Sequence, residues 1–491
     1  MTTEHQEPKK VIPIQAVPAE ASEEMVSLYA AAKKIYPRSV EGIFAYWRWI
    51  LVAFTQIIFY GLPWVEWGSR QAVLFDLEAR RFYIFGLVLY PQDFIYLTGL
   101  LVISALALFL FTAVAGRLWC GYACPQTVYS EIFLWIERKI EGDRSARMRL
   151  DESDFSFKKL MKKTYKHTAW IVLSLWTGFT FVGFFTPIQE LLVTARNWSF
   201  GPWEFFWVFF YAFATYGNAG FMREQVCKYM CPYARFQSVM VDKDTFLVTY
   251  DKVRGEPRGS RSKSADHGSL GLGDCVDCSI CVQVCPTGID IRDGLQYMCI
   301  GCGACIDACN QVMEKVDYPK GLIRYTTERA IEDKESNQSA IRHILRPRVL
   351  IYTAFITVLA SAFLVSLATR NPLRVDVMRD RGALAREVDG VRIENIYRIQ
   401  IMNASEHAMK VQVKATGLEN LKILNSQGQE ITQIDVGPAS NQLLPIKVST
   451  AIGQNESGNY PIHFDVIAQE MDGDKAITRT REEKSSFIIP R

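Results

Sequence analysis

The chain has 491 residues, of which 49% are hydrophobic, 12% aromatic and 22% charged, and its formal net charge is +3. This length holds about two to four domains, and the near-neutral balance excludes nucleic-acid binding through bulk positive charge. Mean hydropathy is near zero although long apolar runs are present, so the chain is read as part membrane-embedded and part water-soluble.

In chain order, residues 1–45 read as a cytoplasmic N-terminal tail. It carries Lys9, Lys10, Lys33, Lys34 and Arg38 with no apolar core segment, so no cleaved signal peptide is expected. Residues 46–250 follow as a four-span membrane domain, with apolar stretches near 47–66, 94–116, 168–187 and 204–221. A fifth span is expected at 349–368. Lys and Arg set the orientation: the basic loop 138–166 carries ten, whereas 68–92 carries three and 188–202 carries one. The positive-inside rule therefore places the N-terminus and the 138–166 loop in the cytoplasm, with residues 371–491 across the membrane in the periplasm. That loop is expected to be a basic surface helix continuing from the Cys124 region. The span centres lack Asp, Glu, Lys, Arg and His, which argues against a proton pump.

Two short motifs end equivalent spans: Cys120-Gly-Tyr-Ala-Cys124-Pro125 and Cys227-Lys-Tyr-Met-Cys231-Pro232. Their C-x-Y-x-C-P pattern, with Arg117 or Arg223 just upstream, reads as an internal repeat. Cysteines at i and i+4 share a helix face and can aim two sulfurs at one point. The proline should break or restart the helix there. Against inert packing stand the repetition and a guanidinium able to favour thiolate. Soft thiolates suit Cu(I), Zn or an iron–sulfur centre, and the pairs are equally capable of reversible dithiol–disulfide chemistry.

Residues 251–273, rich in Gly, Ser and Arg, read as a flexible linker. Residues 274–320 then carry Cys275-x2-Cys278-x2-Cys281-x3-Cys285-Pro286 and Cys299-x2-Cys302-x2-Cys305-x3-Cys309. This doubled spacing marks a ferredoxin-like 2[4Fe–4S] domain rather than a zinc ribbon, and the fourth cysteine of each run serves the other run's cluster. One cluster is therefore assigned to Cys275, Cys278, Cys281 and Cys309, and the other to Cys285, Cys299, Cys302 and Cys305. All twelve cysteines have a metal or redox explanation, which places them on the reducing side of a membrane. The six histidines are scattered with no haem-attachment spacing, and no G-x-G-x-x-G follows a strand. A connector (321–348) leads to the fifth span. From about Val391, short alternating strands near 395–401, 409–413, 421–424, 443–448 and 460–468 point to an Ig-like β-sandwich within residues 371–491. It has no cysteine and is read as a docking module.

The order of these parts resembles the FixG/CcoG/RdxA family of cytochrome c oxidase accessory proteins over nearly the whole chain. The fold class is then a polytopic α-helical membrane protein of about five spans in a bacterial inner membrane, with a cytoplasmic 2[4Fe–4S] ferredoxin-like domain and a periplasmic Ig-like β-sandwich. The resemblance implies maturation of a cbb3-type oxidase by reducing Cu(II) to Cu(I), with copper at Cys120, Cys124, Cys227 and Cys231. It implies as partners membrane lipid, the oxidase assembly machinery, copper transporters or chaperones and a cytoplasmic electron donor, but no nucleic acid; a homodimer is left open. Membrane polyferredoxins of the NapH and NosR types share the paired C-x-x-x-C-P motifs. The alternative they imply is an electron-transfer subunit between quinol and a periplasmic reductase.

Overall fold

The computed structural model describes residues 34–261, 271–332, 345–380, 385–388, 390–431, 433–453, 456–472 and 475–490. Most of the N-terminal tail, the middle of the expected linker, part of the connector, and His5, His267 and His343 lie outside them.

Helix α1 (Ile43–Gly61) is followed by strands β1 (Glu66–Trp67), β2 (Arg70–Gln71), β3 (Val73–Asp76), β4 (Arg81–Ile84) and β5 (Leu87–Leu89). Then come α2 (Phe94–Ala115), α3 (Leu118–Tyr122), α4 (Pro125–Glu141), α5 (Arg144–Glu152), α6 (Phe157–Val182), α7 (Ile188–Arg196) and α8 (Pro202–Thr215). Two π-helical turns, Tyr216–Met222 and Val226–Met230, lead into α9 (Pro232–Met240). The cysteine-rich segment comprises β6 (Leu247–Tyr250), α10 (Lys252–Gly255), α11 (Ile280–Gln283), α12 (Ala304–Val316), β7 (Ile323–Thr326) and α13 (Glu328–Glu332), and α14 (Pro347–Ala368) follows it.

Among the described residues three stretches, Ile43–Trp64, Pro91–Ala115 and Pro347–Ala368, are long and apolar enough to cross a membrane. The stretch expected at 168–187 is largely the C-terminal part of α6, whose N-terminal part is lysine-rich. The stretch at 204–221 is α8 running into the first π turn, and its aromatic side chains, among them Phe205, Phe209 and Phe213, are exposed. The basic segment 138–166 is not one helix. It breaks at Gly142 and again after Glu152 into the end of α4, α5 and the start of α6.

The three membrane-length helices, α1, α2 and α14, run between two poles. At one pole, Asp307 of α12 accepts from the backbone N–H of Phe44 and Ala45 at the start of α1, a carboxylate capping a helix N-terminus. Here too Arg346, before α14, donates to the carbonyl of Ala113 in the last turn of α2 at 2.7 Å. At the other pole, Gln71 bonds the carbonyl of Gly183 after α6, and Tyr96 of α2 donates to the carbonyl of Ser366 in α14.

The second pole carries all the described strands except β6 and β7. One sheet runs β12 (Lys422–Leu424), β14 (Asn441–Ala451), β10 (Arg392–Asn403), β8 (Leu373–Arg379), with β9 (Arg386–Val388) also on β10. The other runs β13 (Ile434–Val436), β11 (Met409–Thr416), β15 (Gly458–Asp472), β16 (Lys475–Ile489). Alternate residues such as Tyr397, Ile399, Val411, Phe464 and Phe487 fill the space between the sheets. The alternation identified β10, β11, β12, β14 and β15. It missed β8, which begins well before Val391, as well as β13 and β16, a strand dense in charge. The segment 68–92, read only as a loop, forms strands β2 to β5 instead. Its Leu74, Tyr83, Val88 and Tyr90 pack on Met402 and Ala404 of the sandwich.

Asp93, the residue before α2, fastens this pole: it is buried and pairs with Arg374 at 2.7 Å and Arg370 at 3.4 Å. Removing one partner of a buried ion pair strands the other charges. Asp93→Ala is expected to destabilise the protein by about 3 kcal/mol, read as a lowered midpoint in thermal unfolding of the detergent-solubilised chain; an unchanged midpoint would contradict this role.

Candidate metal centres

Each C-x-x-x-C-P segment is built the same way. Helix α2 stops at Gly116 (φ 56°, ψ −122°), α3 makes little more than a turn, and Cys124 starts α4 with Pro125 in its first turn. The second copy stops at Arg223 (φ 41°, ψ −112°), turns through a π-helical segment, and restarts at Cys231 with Pro232 in the first turn of α9. The expected break is therefore present, and proline sits where its missing N–H costs nothing. Each pair thus straddles a restart instead of lying on one continuous α-helical face.

The restarted helices exchange partners. Gln126 of α4 donates to the carbonyls of Asn218 and Arg223 at 3.0 Å in the second copy. Gln237 of α9 accepts from Arg117 at 2.6 Å in the first copy and lies 3.8 Å from the Cys120 sulfur. The exchange turns the two thiol pairs towards the same region, where the charge state of Cys227 depends on Cys124, Cys120 and Cys231. Burial pushes the Cys227 thiol up to about 11, and it raises Cys120 and Cys124 as well. Among the described residues no three His, Cys, Asp or Glu side chains form a group able to hold one ion. Closing the four sulfurs on a single soft ion, at ~2.3 Å from each as for zinc thiolates, therefore requires side-chain rotation.

The two upstream arginines differ. Arg117 faces the thiols and opposes the upward shift of Cys120. Arg223 does not serve them: its guanidinium is held by Glu137 at 2.9 Å. Glu137 is fully buried and also meets Arg147 at 3.2 Å and Lys166 at 3.6 Å. Burial alone would raise its carboxyl, but Arg223, Lys166 and Arg147 outweigh that and hold it below the usual carboxylate range. A non-glycine residue at this φ and ψ stores on the order of 1–3 kcal/mol of strain, and the ion pair is what keeps Arg223 there.

The eight clustered cysteines line two cavities. Cys275, Cys278, Cys281 and Cys309 border one, and Cys285, Cys299, Cys302 and Cys305 border the other, with Cys281 between them. This is the crossed pairing that the spacing implies. The backbone bends around each cavity through left-handed residues flanking the middle cysteine: Asp277 and Ser279 beside Cys278, Gly301 and Gly303 beside Cys302. Burial pushes Cys299 and Cys309 up to about 12, so a cationic centre is needed to hold them as thiolates. Two sets of four cysteines are the donors that two iron–sulfur cubanes take, and closing them on the clusters requires side-chain rotation here as well.

This segment is not tethered at a distance, as the linker reading implied. Strands β6 and β7 pair across it, so the unit begins near 247 and closes near 326. The described ends of the linker are fixed: Gly273 donates to the carbonyl of Pro257 at 2.9 Å and Asp274 to that of Arg254 at 3.0 Å. The unit sits directly on the first C-x-x-x-C-P segment. A Cβ on Gly121 would lie 2.8 Å from the Ile300 carbonyl oxygen and 2.9 Å from the Cys302 Cα. Tyr122 donates to the Cys302 carbonyl at 3.3 Å, and Arg117 donates to the carbonyls of Tyr297 and Cys299. Tyr229, the repeat counterpart of Tyr122, is exposed. Gln126, Gln237, Glu137 and Gly121 escaped the sequence reading. Only Gly121, inside the motif, carried any local signal. Gly121→Val is expected to displace the Cys302 loop and cut iron content to about half, since the Cys275–Cys309 cavity does not touch position 121. Iron assay of purified protein checks this, and full iron content would refute the close-approach argument.

Residues 222–328 match a family model described as a 4Fe-4S dicluster domain, and 97–142 match a 4Fe-4S binding domain. Residues 363–490 match the IG-like fold at the C-terminal of FixG. The chain is 35% identical to Nitrogen fixation protein FixG of Rhizobium meliloti over 90% of its length and 91% of that protein. It is 40% identical to Protein RdxB of Cereibacter sphaeroides, over 85% of this chain and 88% of the relative. Ferredoxin-type protein NapH of Haemophilus influenzae matches at 21% over 44% of this chain and 68% of that protein. With its iron–sulfur binding domains, apolar helices and FixG-type sandwich in the same order, this chain belongs to the FixG/RdxA family.

Proposed function

We propose that this protein is a multi-pass membrane oxidoreductase that reduces Cu(II) to Cu(I) at Cys120, Cys124, Cys227 and Cys231, for use in maturing a cbb3-type cytochrome c oxidase. The observation that carries this reading is the seating of Gly121 and Tyr122 on the Ile300–Cys302 loop, which puts one thiol pair against the wall of the second cysteine-lined cavity. Cys275, Cys278, Cys281 and Cys309 hold one cubane and Cys285, Cys299, Cys302 and Cys305 the other. When bound, these centres store and pass single electrons.

The thiols supply the copper chemistry. Cu(II) prefers nitrogen and oxygen in tetragonal geometry, whereas Cu(I) is soft and suits thiolates, so a four-sulfur site favours the one-electron-reduced ion. Burial keeps Cys120, Cys124 and Cys227 protonated when no metal is bound. Their protons leave to water as the soft ion binds. Arg117 supplies the fixed positive charge beside Cys120, and Glu137 sets the backbone ahead of Cys227 through Arg223.

Five crossings with the cysteine-rich pole in the cytoplasm and the sandwich in the periplasm agree with the Lys and Arg bias of the loops. Three of the five, α1, α2 and α14, are of membrane length and run between the two poles; α6 and α8 supply the other two crossings in this reading. The sandwich, free of cysteine, is assigned to docking with the oxidase assembly machinery or with copper transporters and chaperones.

Anaerobically reduced protein mixed with Cu(II) is expected to lose its reduced-cluster signal in step with Cu(I) captured by a chelator. Cys120→Ala/Cys124→Ala and Cys227→Ala/Cys231→Ala should each abolish both copper binding and Cu(I) production while keeping iron, because alanine preserves the close approach at Gly121. Full copper binding in either double variant would sink the single-site reading. Glu137→Gln, which frees Arg223, should weaken Cu(I) binding at least ~10-fold with iron retained; unchanged affinity in a chelator competition would remove Glu137 from the site.

A further inference from the structure

A cavity of about 210 Å³ lies beside the second cysteine-lined cavity and shares Cys299 and Gly301 with its wall. One wall is the loop carrying Cys299 and Gly301. The opposite wall is apolar: Ala115 at the end of α2, then Phe246, Leu247 and Val248 entering β6. Helix α9 closes a third side with Ala234 and Gln237. Arg117 and Gln237 bring polar groups to this otherwise oily space, and both are more than nine-tenths buried. A mainly apolar pocket with a few convergent polar groups is the usual form of a small-molecule site.

Its position says which kind of molecule. Ala115 ends one of the three membrane-length helices, and the next begins just after Arg346, which is bonded to Ala113. Helix α9 turns Ala234 and Gln237 inward and leaves Phe236 and Val239 exposed, 62% and 83% respectively. Leu295 and Tyr297, which border the cavity, are also exposed. An amphipathic helix with bare apolar side chains at the end of a spanning helix lies in the membrane interface. The pocket is thus open to a ligand carried in lipid, large enough for a single substituted ring, and in contact with a redox-bearing loop.

We infer that this cavity binds the headgroup of a membrane quinone, with the ring between Ala234 and the Cys299–Gly301 loop and its oxygens towards Arg117 and Gln237. The inference rests on the proposed function and names the class of its reductant. Oxidation of a bound quinol to the quinone releases two electrons and two protons. A cluster held by Cys285, Cys299, Cys302 and Cys305 would accept these electrons one at a time. The protons go to water at the mouth, since among the described residues no Asp, Glu or His lines the cavity.

The test is photolabelling of the iron-loaded, full-length protein with an azido-ubiquinone in detergent micelles, with labelled peptides mapped by mass spectrometry. Label on the segments around Ala234 or Leu295, competed by excess decylubiquinone, is the expected result. Ala234→Trp, which fills the cavity, and Leu295→Trp at the exposed rim should each cut that label at least tenfold with iron content retained. Dithionite-reduced protein should also be reoxidised by decylubiquinone at least tenfold more slowly in both variants. Label elsewhere, label without competition, or equal labelling and reoxidation in wild type and in variants that keep their iron would overturn the site. None of these readouts involves copper, so the quinone site and the copper reaction fail or stand separately.

Discussion

The close approach of the Gly121 backbone to Ile300 and Cys302 is the contact on which the arrangement of this protein depends. Any side chain there would hold the two segments apart by the width of a methyl group or more. With glycine, the Cys120 thiol shares one apolar cluster with Ile300, Cys302 and Ala304. In the proposed function, this backbone-to-backbone packing gives the membrane-end thiol pair a short path to the cysteine-lined cavity. The two halves of the repeat have diverged around this contact: Tyr122 bonds the loop, while the equivalent Tyr229 faces outward.

Holding four thiols at the end of a helical bundle requires two helices to stop and restart in register. The chain solves this twice with a residue at positive φ followed by a Cys-Pro restart, and then couples the copies by swapping glutamine contacts. Gly116 adopts its conformation without penalty, whereas Arg223 does not. Its strain is balanced by a buried carboxylate shared with Arg147 and Lys166. A buried charge cluster of this kind is weak evidence for stability. Its cost is better understood as fixing one backbone geometry ahead of Cys227.

The opposite pole does a different job. Asp93 joins the start of α2 to Arg370 and Arg374 at the entry of the sandwich, and the small sheet between α1 and α2 packs on strand β10. The sandwich is therefore fastened to two separate helix connections instead of hanging from α14 alone. That restricts its orientation relative to the helices.

Much of this protein was legible in its amino-acid order because the governing rules are local. Thiolate spacing fixes how many irons a run can reach, so the crossed sets of Cys275–Cys309 and Cys285–Cys305 follow from counting, and the two cavities repeat them. Proline after Cys124 and Cys231 dictates a helix restart, and alternation along β10 and β11 dictates a two-layer sandwich. The remaining features depend on partners far apart in sequence. Gln237 meets Cys120 and Arg117 across more than a hundred residues, and Glu137 meets Arg223 across 86. Composition made 251–273 read as a free tether, yet tertiary hydrogen bonds hold its described ends, because a Gly-rich segment adopts whatever path its neighbours impose. The sequence by itself determined which atoms could bind metal and where helices must end. Only the tertiary structure decided that those helix ends meet beneath the cysteine loop, since long-range packing of neutral and oppositely charged side chains leaves no periodic trace in the chain.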